Sequence, residues 1–383
     1  MRVFFAMLVV VLLSGLLFFI PKSKGNNLSL DIFNKIVEED FPIALDIENA
    51  TCFISYTFDN DLETFIKKML KKNMPDYSAV VVIDNGSGEV LALVGGVRNG
   101  EFNRYFPLSS THPAASLIKI ITTAALLETN LVNANTSFSY SGKGTTLYKR
   151  QINSIGKIIS LYEAFAKSNN AVLAGAALKY LNPLALYKMA EKFYFNKQFS
   201  QDIQVGSSSF AIPENEFHMA ELASGFNRNT MISPYHGAVI GSIIANDGIL
   251  QYPSIIKEII CNDEIVWKSK EKSNRIISKN IAKGLRGMMK GVVSRGGTAG
   301  GTFRSSKKLF KLEIGGKTGS MTGGIPHGKN DWFVSFAIPR GESSGVSIAV
   351  LHVDVDKWRM KSFDLTRTIM EYYFSRKNYD QGN

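Results

Sequence analysis

The sequence predicts an α+β fold: an antiparallel sheet of about five strands flanked by helices, with an all-helical subdomain. Three observations predict it. Strand-like segments lie early and late in the chain, the long middle is helical, and over 383 residues the composition is that of a folded body, 45 % hydrophobic and 20 % charged. A sheet assembled from segments near both ends, with helices packed on its faces, satisfies all three.

The chain opens with an apolar run over residues 3–20, softened only by Ser14 and Gly15 and stopped by Pro21 and Lys22. At helical rise it spans about 27 Å, close to the thickness of a bilayer core. A secretory apolar region is shorter, so residues 1–25 read as an uncleaved membrane anchor. A cleaved signal, cut near Ser23-Lys24-Gly25, stays open as the alternative. Either way the remainder is expected on the outer side of the cytoplasmic membrane; with the anchor retained, the protein is single-pass.

Residues 26–51 form a short lead-in whose apolar positions Leu30, Ile32, Phe33, Ile36 and Val37 mark one helix. The main domain is placed at 52–383. Residues 61–72 read as a helix, and 79–84 with 89–94 around Asn85-Gly86 as a β-hairpin. Helical patterning then covers 113–127, 161–177, 184–194 and 238–245. A small hairpin follows at 255–260 and 264–267 around Asn262-Asp263, then a helix at 280–293. Strands return at 312–316, 332–338 and 346–353, and residues 363–373 close the domain as a helix.

Lys and Arg total 44 against 33 Asp and Glu, a net charge of +11. This favours anionic surroundings, and a solvated basic surface accounts for it better than a specific polyanion site. No basic run interleaved with aromatics suggests a nucleic-acid groove, so nucleic acid is not an expected partner. Cys52 and Cys261 show no metal-ligand spacing and read as isolated buried thiols, with pairing open in an oxidising compartment.

A serine hydroxyl becomes a strong nucleophile when a base takes its proton, and a lysine serves if burial or a neighbouring cation lowers its pKa. Three residues apart on a helix, the two share a face. Ser-x-x-Lys occurs at Ser116/Lys119, Ser154/Lys157, Ser254/Lys257, Ser269/Lys272 and Ser305/Lys308. Only Ser116 stands in the opening turn of an apolar helix, where backbone N–H groups are free and the dipole favours negative charge. The other four read as surface or hairpin residues. Ser168-Asn169-Asn170 lies in a helix-to-helix region; Ser278-Lys279-Asn280 fits the same string, and a helix N-cap would explain either. Lys317-Thr318-Gly319-Ser320 occurs once, on a strand, where a small residue lets a substrate backbone lie alongside and a lysine supplies charge for a carboxylate.

The order Ser116-Leu117-Ile118-Lys119, Ser168-Asn169-Asn170, Lys317-Thr318-Gly319-Ser320 resembles the three-motif signature of penicillin-binding proteins and serine β-lactamases. Segments 55–63, 82–96, 232–234, 245–248, 296–299 and 331–334 resemble penicillin-binding transpeptidase segments in the same order. The resemblance implies that fold and a D,D-transpeptidase acting on the D-Ala-D-Ala end of peptidoglycan stem peptides, without cofactor or metal. Carried over by motif, Ser116 is the nucleophile, Lys119 its base and Ser168 a proton relay to the leaving D-alanine. Asn170 holds the substrate amide, and Lys317 with Thr318 grips the terminal carboxylate beside Gly319. Backbone N–H groups of Ser116 and Ser320 form the oxyanion hole. β-Lactam antibiotics would stall the enzyme by acylating Ser116, and wall-synthesis proteins are further expected partners.

Two departures stand out: His112-Pro113-Ala114-Ala115 precedes the nucleophile and Ile120 follows Lys119, where bifunctional members differ. The stretch before the domain is too short for a glycosyltransferase, so the chain reads as monofunctional. His327 and Glu163 lie near the motifs but read as loop and helix-surface residues. The rival readings are a D,D-carboxypeptidase or class D-like β-lactamase on the same fold, and a non-catalytic β-lactam sensor or wall-synthesis scaffold.

Overall fold

The computed structural model describes residues 30–47, 50–152, 154–356 and 358–377. The expected anchor at 1–25 lies outside these residues, and among those described no helix is long and apolar enough to cross a membrane.

Helix α1 (Leu30–Glu38) leads into strands β1 (Ala44–Ile47) and β2 (Ala50–Tyr56). Helix α2 (Asn60–Lys72) starts at Asp59, whose carboxylate accepts from Leu62 N, and buries Leu62, Ile66 and Leu70 on one face. The hairpin of β3 (Tyr77–Asp84) and β4 (Val90–Val97) follows as expected, and β4 pairs with the short β5 (Phe102–Asn103). The two-residue β6 (His112–Pro113) brings the chain to α3 (Ile118–Glu128). The helical middle then comprises α4 (Leu161–Ala166), α5 (Asn170–Tyr180), α6 (Pro183–Lys192), α7 (Glu216–Ser224) and α8 (Pro234–Ala245), with the small pairs β7 (Ser137–Tyr140)–β8 (Lys157–Ser160) and β6–β9 (Met231–Ile232) at its margins.

After α8 come β10 (Ile249–Gln251), β11 (Ile256–Cys261), β12 (Glu264–Lys268) and β13 (Ser273–Arg275), then α9 (Lys279–Val293) and the one-turn α10 (Gly300–Arg304). Strands β14 (Leu312–Gly323), β15 (Gly328–Pro339) and β16 (Val346–Asp354) and helix α11 (Ser362–Arg376) complete the described chain. The main sheet has six strands in the order β14-β15-β16-β3-β4-β5, every neighbouring pair antiparallel. The late strands thus lie beside the early hairpin, as an antiparallel sheet built from separated segments requires. Strands β15 and β16 are almost wholly buried, so their apolar residues run continuously instead of alternating. Helix α8, buried along its whole length, packs on β3, β15 and β16.

Four features differ from expectation. The helical run over 161–177 is two helices, α4 and α5, interrupted at Lys167–Asn169 by a left-handed Ser168 (φ +54°). The hairpin at 255–267 belongs to a second sheet, β1-β2-β11-β12, whose strand β2 runs across the boundary expected at residue 52. Cys52 and Cys261 face each other across β2 and β11 and form a disulfide, so they are not isolated thiols. Finally, Ser254 is buried at 3 % exposure, although its Lys257 is exposed as expected.

Candidate active site

The nucleophile candidate sits on a backbone turn. Ala115 takes a positive φ of +48°, Ala115–Leu117 make one 3₁₀ turn, and α3 continues from Ile118. That turn is held from two sides. Trp332 on β15, fully buried, donates its indole N–H to Pro113 O at 2.9 Å. Gly225, the left-handed cap of α7, packs so closely that a Cβ there would lie 2.1 Å from Ala115 O and 2.8 Å from Ser116 Cα. Only glycine fits that position.

One turn along α3, Lys119 is fully buried, with Nζ 2.8 Å from Ser116 Oγ. The same nitrogen meets Ser168 O at 2.9 Å, Ser168 Oγ at 3.0 Å and Asn170 Oδ1 at 2.5 Å. Burial, and after it the charge of Lys317, holds the Lys119 pKa well below that of an ordinary lysine. Two of its four neighbours, Ser168 O and Asn170 Oδ1, only accept. A neutral amine spends its two N–H bonds on them and turns its lone pair to a hydroxyl.

Ser168 hangs in the gap between α4 and α5. The cap of α5 is the adjacent Asn169, whose side chain accepts from Val172 N, so the hydroxyl of Ser168 is left for the site. In the look-alike string at 278–280 the serine itself caps α9. Asn170 opens α5 and spends both ends of its amide: Oδ1 accepts from Lys119, and Nδ2 donates to Thr145 O at 2.9 Å.

Strand β14 forms the opposite wall. Lys317 is fully buried; its Nζ donates to Ser168 Oγ and to Thr318 O, both at 2.9 Å, and burial lowers its pKa to about 7. Lys119 and Lys317 therefore share Ser168 Oγ. Thr318 Oγ1 lies 2.8 Å from Thr298 Oγ1, and Gly319 passes the nucleophile turn, where a Cβ would come 3.5 Å from Ala114 O. Ser320 is exposed at the mouth.

These residues line one open cleft of about 580 Å³, in which Ser116, Ser168, Asn170, Thr318, Gly319 and Ser320 all appear. All eight residues expected of the site fall in one place. Thr145, Gly225, Arg228, Thr298 and Lys361 also line the cleft and went unassigned. For Thr298 the Gly296-Gly297 pair before it was the available signal; Arg228 carries none. His327 is exposed in the β14–β15 loop, and Glu163 caps α4 by accepting from Ser160 N, so neither enters the chemistry. Among the described residues no cluster of His, Cys, Asp or Glu is arranged to hold a metal.

A serine touching a buried lysine, a second serine shared by two lysines, and a sheet strand running beside them define the penicillin-recognising class of serine proteins. Comparison agrees: the model of the penicillin binding protein transpeptidase domain matches residues 78–370, and the chain belongs to that family. It is 25 % identical over 310 residues to the stage V sporulation protein D of Bacillus subtilis, covering 73 % of this chain and 46 % of that protein. It is 27 % identical over 263 residues to the peptidoglycan D,D-transpeptidase PbpA of Mycolicibacterium smegmatis, covering 64 % and 51 %. The chain thus spans about half the length of these relatives. Among solved structures, the imipenem acyl-enzyme of penicillin-binding protein A from M. tuberculosis shares the fold at a TM-score of 0.68 and 20 % identity, over 84 % of this chain and 79 % of that one. The transpeptidase domain of penicillin-binding protein 3 from Burkholderia pseudomallei does so at 0.68 and 20 %, over 85 % and 96 %.

Proposed function

We propose that this chain is a peptidoglycan D,D-transpeptidase that works through a Ser116 acyl-enzyme on the outer face of the cytoplasmic membrane, and that β-lactams acylate the same serine. The observation that carries this reading is the 2.8 Å approach of Lys119 Nζ to Ser116 Oγ in a position where Lys119 is fully buried. A lysine held neutral there is a base.

In this reading Ser116 Oγ attacks the penultimate carbonyl of a D-Ala-D-Ala end while Lys119 takes its proton. The oxyanion rests on the N–H groups of Ser116 and Ser320, each such donor being worth about 2.7–4 kcal/mol. The C–N bond then breaks, and the proton passes from Lys119 through Ser168 to the departing amine. The amine of a second stem peptide attacks the ester, and Ser116 recovers its proton. Lys317 is covered by protein, so its charge acts on the substrate carboxylate from behind Thr318, whose hydroxyl and that of Thr298 stand at the surface. Asn170 positions Lys119, and its Nδ2 would leave Thr145 O to meet a substrate amide. The Cys52–Cys261 disulfide supports an oxidising, exported location, and the apolar run at 3–20 supports the anchor.

The full chain is incubated with a D-Ala-D-Ala stem peptide and a labelled amine acceptor. Release of D-alanine with the acceptor incorporated is expected. Release without incorporation would make the protein a carboxypeptidase, and release of neither product would favour a scaffold.

A further inference from the structure

Away from the cleft, a second cavity of about 590 Å³ opens between the end of α9, the segment 303–310 and the start of β14. Part of its wall is apolar: Phe303 and Leu309 are buried in it, and Phe310 stands 64 % exposed. The rest is cationic. Arg295, Arg304 and Arg340 line it with exposed side chains, and among the described residues none of the three makes an ion pair. Glu313, in the same wall, is already taken by Arg286 at 2.9 Å and Lys290 at 3.7 Å. Ser306 also lines the cavity; it is only 5 % exposed, and its hydroxyl has no hydrogen-bond partner among the described residues. A buried hydroxyl without an acceptor is costly, and a turn of the Ser306 side chain about Cα–Cβ would bring its oxygen, covered by protein in this structure, to an acceptor arriving in the cavity.

We propose that this cavity binds an amphipathic oxyanion. Its carboxylate or phosphate is held by Arg295, Arg304 and Arg340 with Ser306 donating, and its aromatic or aliphatic body lies against Phe303, Leu309 and Phe310. The volume is that of a small-molecule site, and the mixture of apolar wall and a few convergent polar groups is what such sites use. Arginine forks suit planar and tetrahedral oxyanions alike. The proposal stands apart from the chemistry at Ser116.

Isothermal titration of the full chain with phenyl phosphate, phenylacetate and inorganic phosphate tests it, on wild type, Ser306→Ala and Arg340→Gln. At least one aromatic anion should bind ten-fold or more tightly than inorganic phosphate, and each substitution should weaken it five-fold or more. The tighter of the two aromatic anions identifies the head group. Ser306→Ala removes an unpaired hydroxyl, so its Tm should hold or rise, which separates lost binding from lost fold. Absent saturable binding, an aromatic anion no tighter than inorganic phosphate, or equal binding in all three proteins overturns the proposal.

Discussion

Lys119 and Lys317 are both fully buried, and each is placed where holding a proton is costly. Because the charge of Lys317 contributes to lowering the pKa of Lys119, the two titrate as a pair. The substitution Lys317→Met removes that charge, so the Lys119 pKa rises. The acidic limb of the acylation rate against pH then moves to higher pH; a limb that stays put or moves down refutes the coupling. Gly225 acts on the same serine through backbone contact alone. Gly225→Ala puts a methyl 2.1 Å from Ala115 O at a residue with φ +68°, and displacing the turn by about 1 Å is worth about 10²-fold in rate. Acylation should slow by that order, with a smaller change in the concentration for half-saturation; a rate within three-fold of wild type contradicts the role. At this scale the motifs were legible because each needs local context only: a helix start for Ser116 and a strand for Lys317. The positive φ of Ser168 was not, since it arises from Asn169 taking the cap of α5. Gly225 was not, since its neighbour lies 110 residues away by difference from Ala115.

Strands β2 and β11 show what elements add. The 79–94 hairpin was read from two continuous apolar runs around a turn. Strand β2 has no such run, and although its burial alternates, the apolar Phe53 between buried Cys52 and Ile54 is 61 % exposed, so the strand escaped a reading from sequence. Its pairing with β11 is non-local and depends on register, which places Cys52 opposite Cys261. No spacing rule contains that information. The disulfide closes a separation of 209 residues, and a crosslink across a long loop stabilises by about 2–4 kcal/mol, chiefly through the unfolded chain. The double substitution Cys52→Ser/Cys261→Ser should lower Tm by several degrees while leaving acylation at 25 °C intact, because β2 and β11 form a sheet apart from the cleft. An unchanged Tm, read by calorimetry under non-reducing conditions, would contradict this.

For the molecule as a whole, the sheet built from early and late strands was legible from the order of strand-like and helical segments. The partition into a six-stranded and a four-stranded sheet, with smaller strand pairs beside them, was not, because it is decided by which strands meet. Burying so much of the middle also buries histidines. His112 donates its Nε2–H to Pro326 O, His236 donates its Nε2–H to Phe193 O and meets Ser208 Oγ with Nδ1, and burial lowers both pKa values to about 4. Their folded values lie below the unfolded one, near 6.5, so the unfolded chain binds protons that the native one refuses. Stability contributed by keeping them neutral is complete above about 6.5, falls as pH drops towards about 4 and levels off below. Melts in that window should show a declining Tm, with a shallower decline in His236→Gln than in wild type. Parallel curves would show that His236 does not contribute.

All of these effects serve one central claim, that Ser116 is a nucleophile activated by Lys119. The full chain is treated with a fluorescent penicillin beside Ser116→Ala, and the labelled peptide is mapped by mass spectrometry. A stable adduct on Ser116 in the wild type that vanishes in the variant is predicted; an adduct elsewhere, or none in a folded wild type, would contradict it.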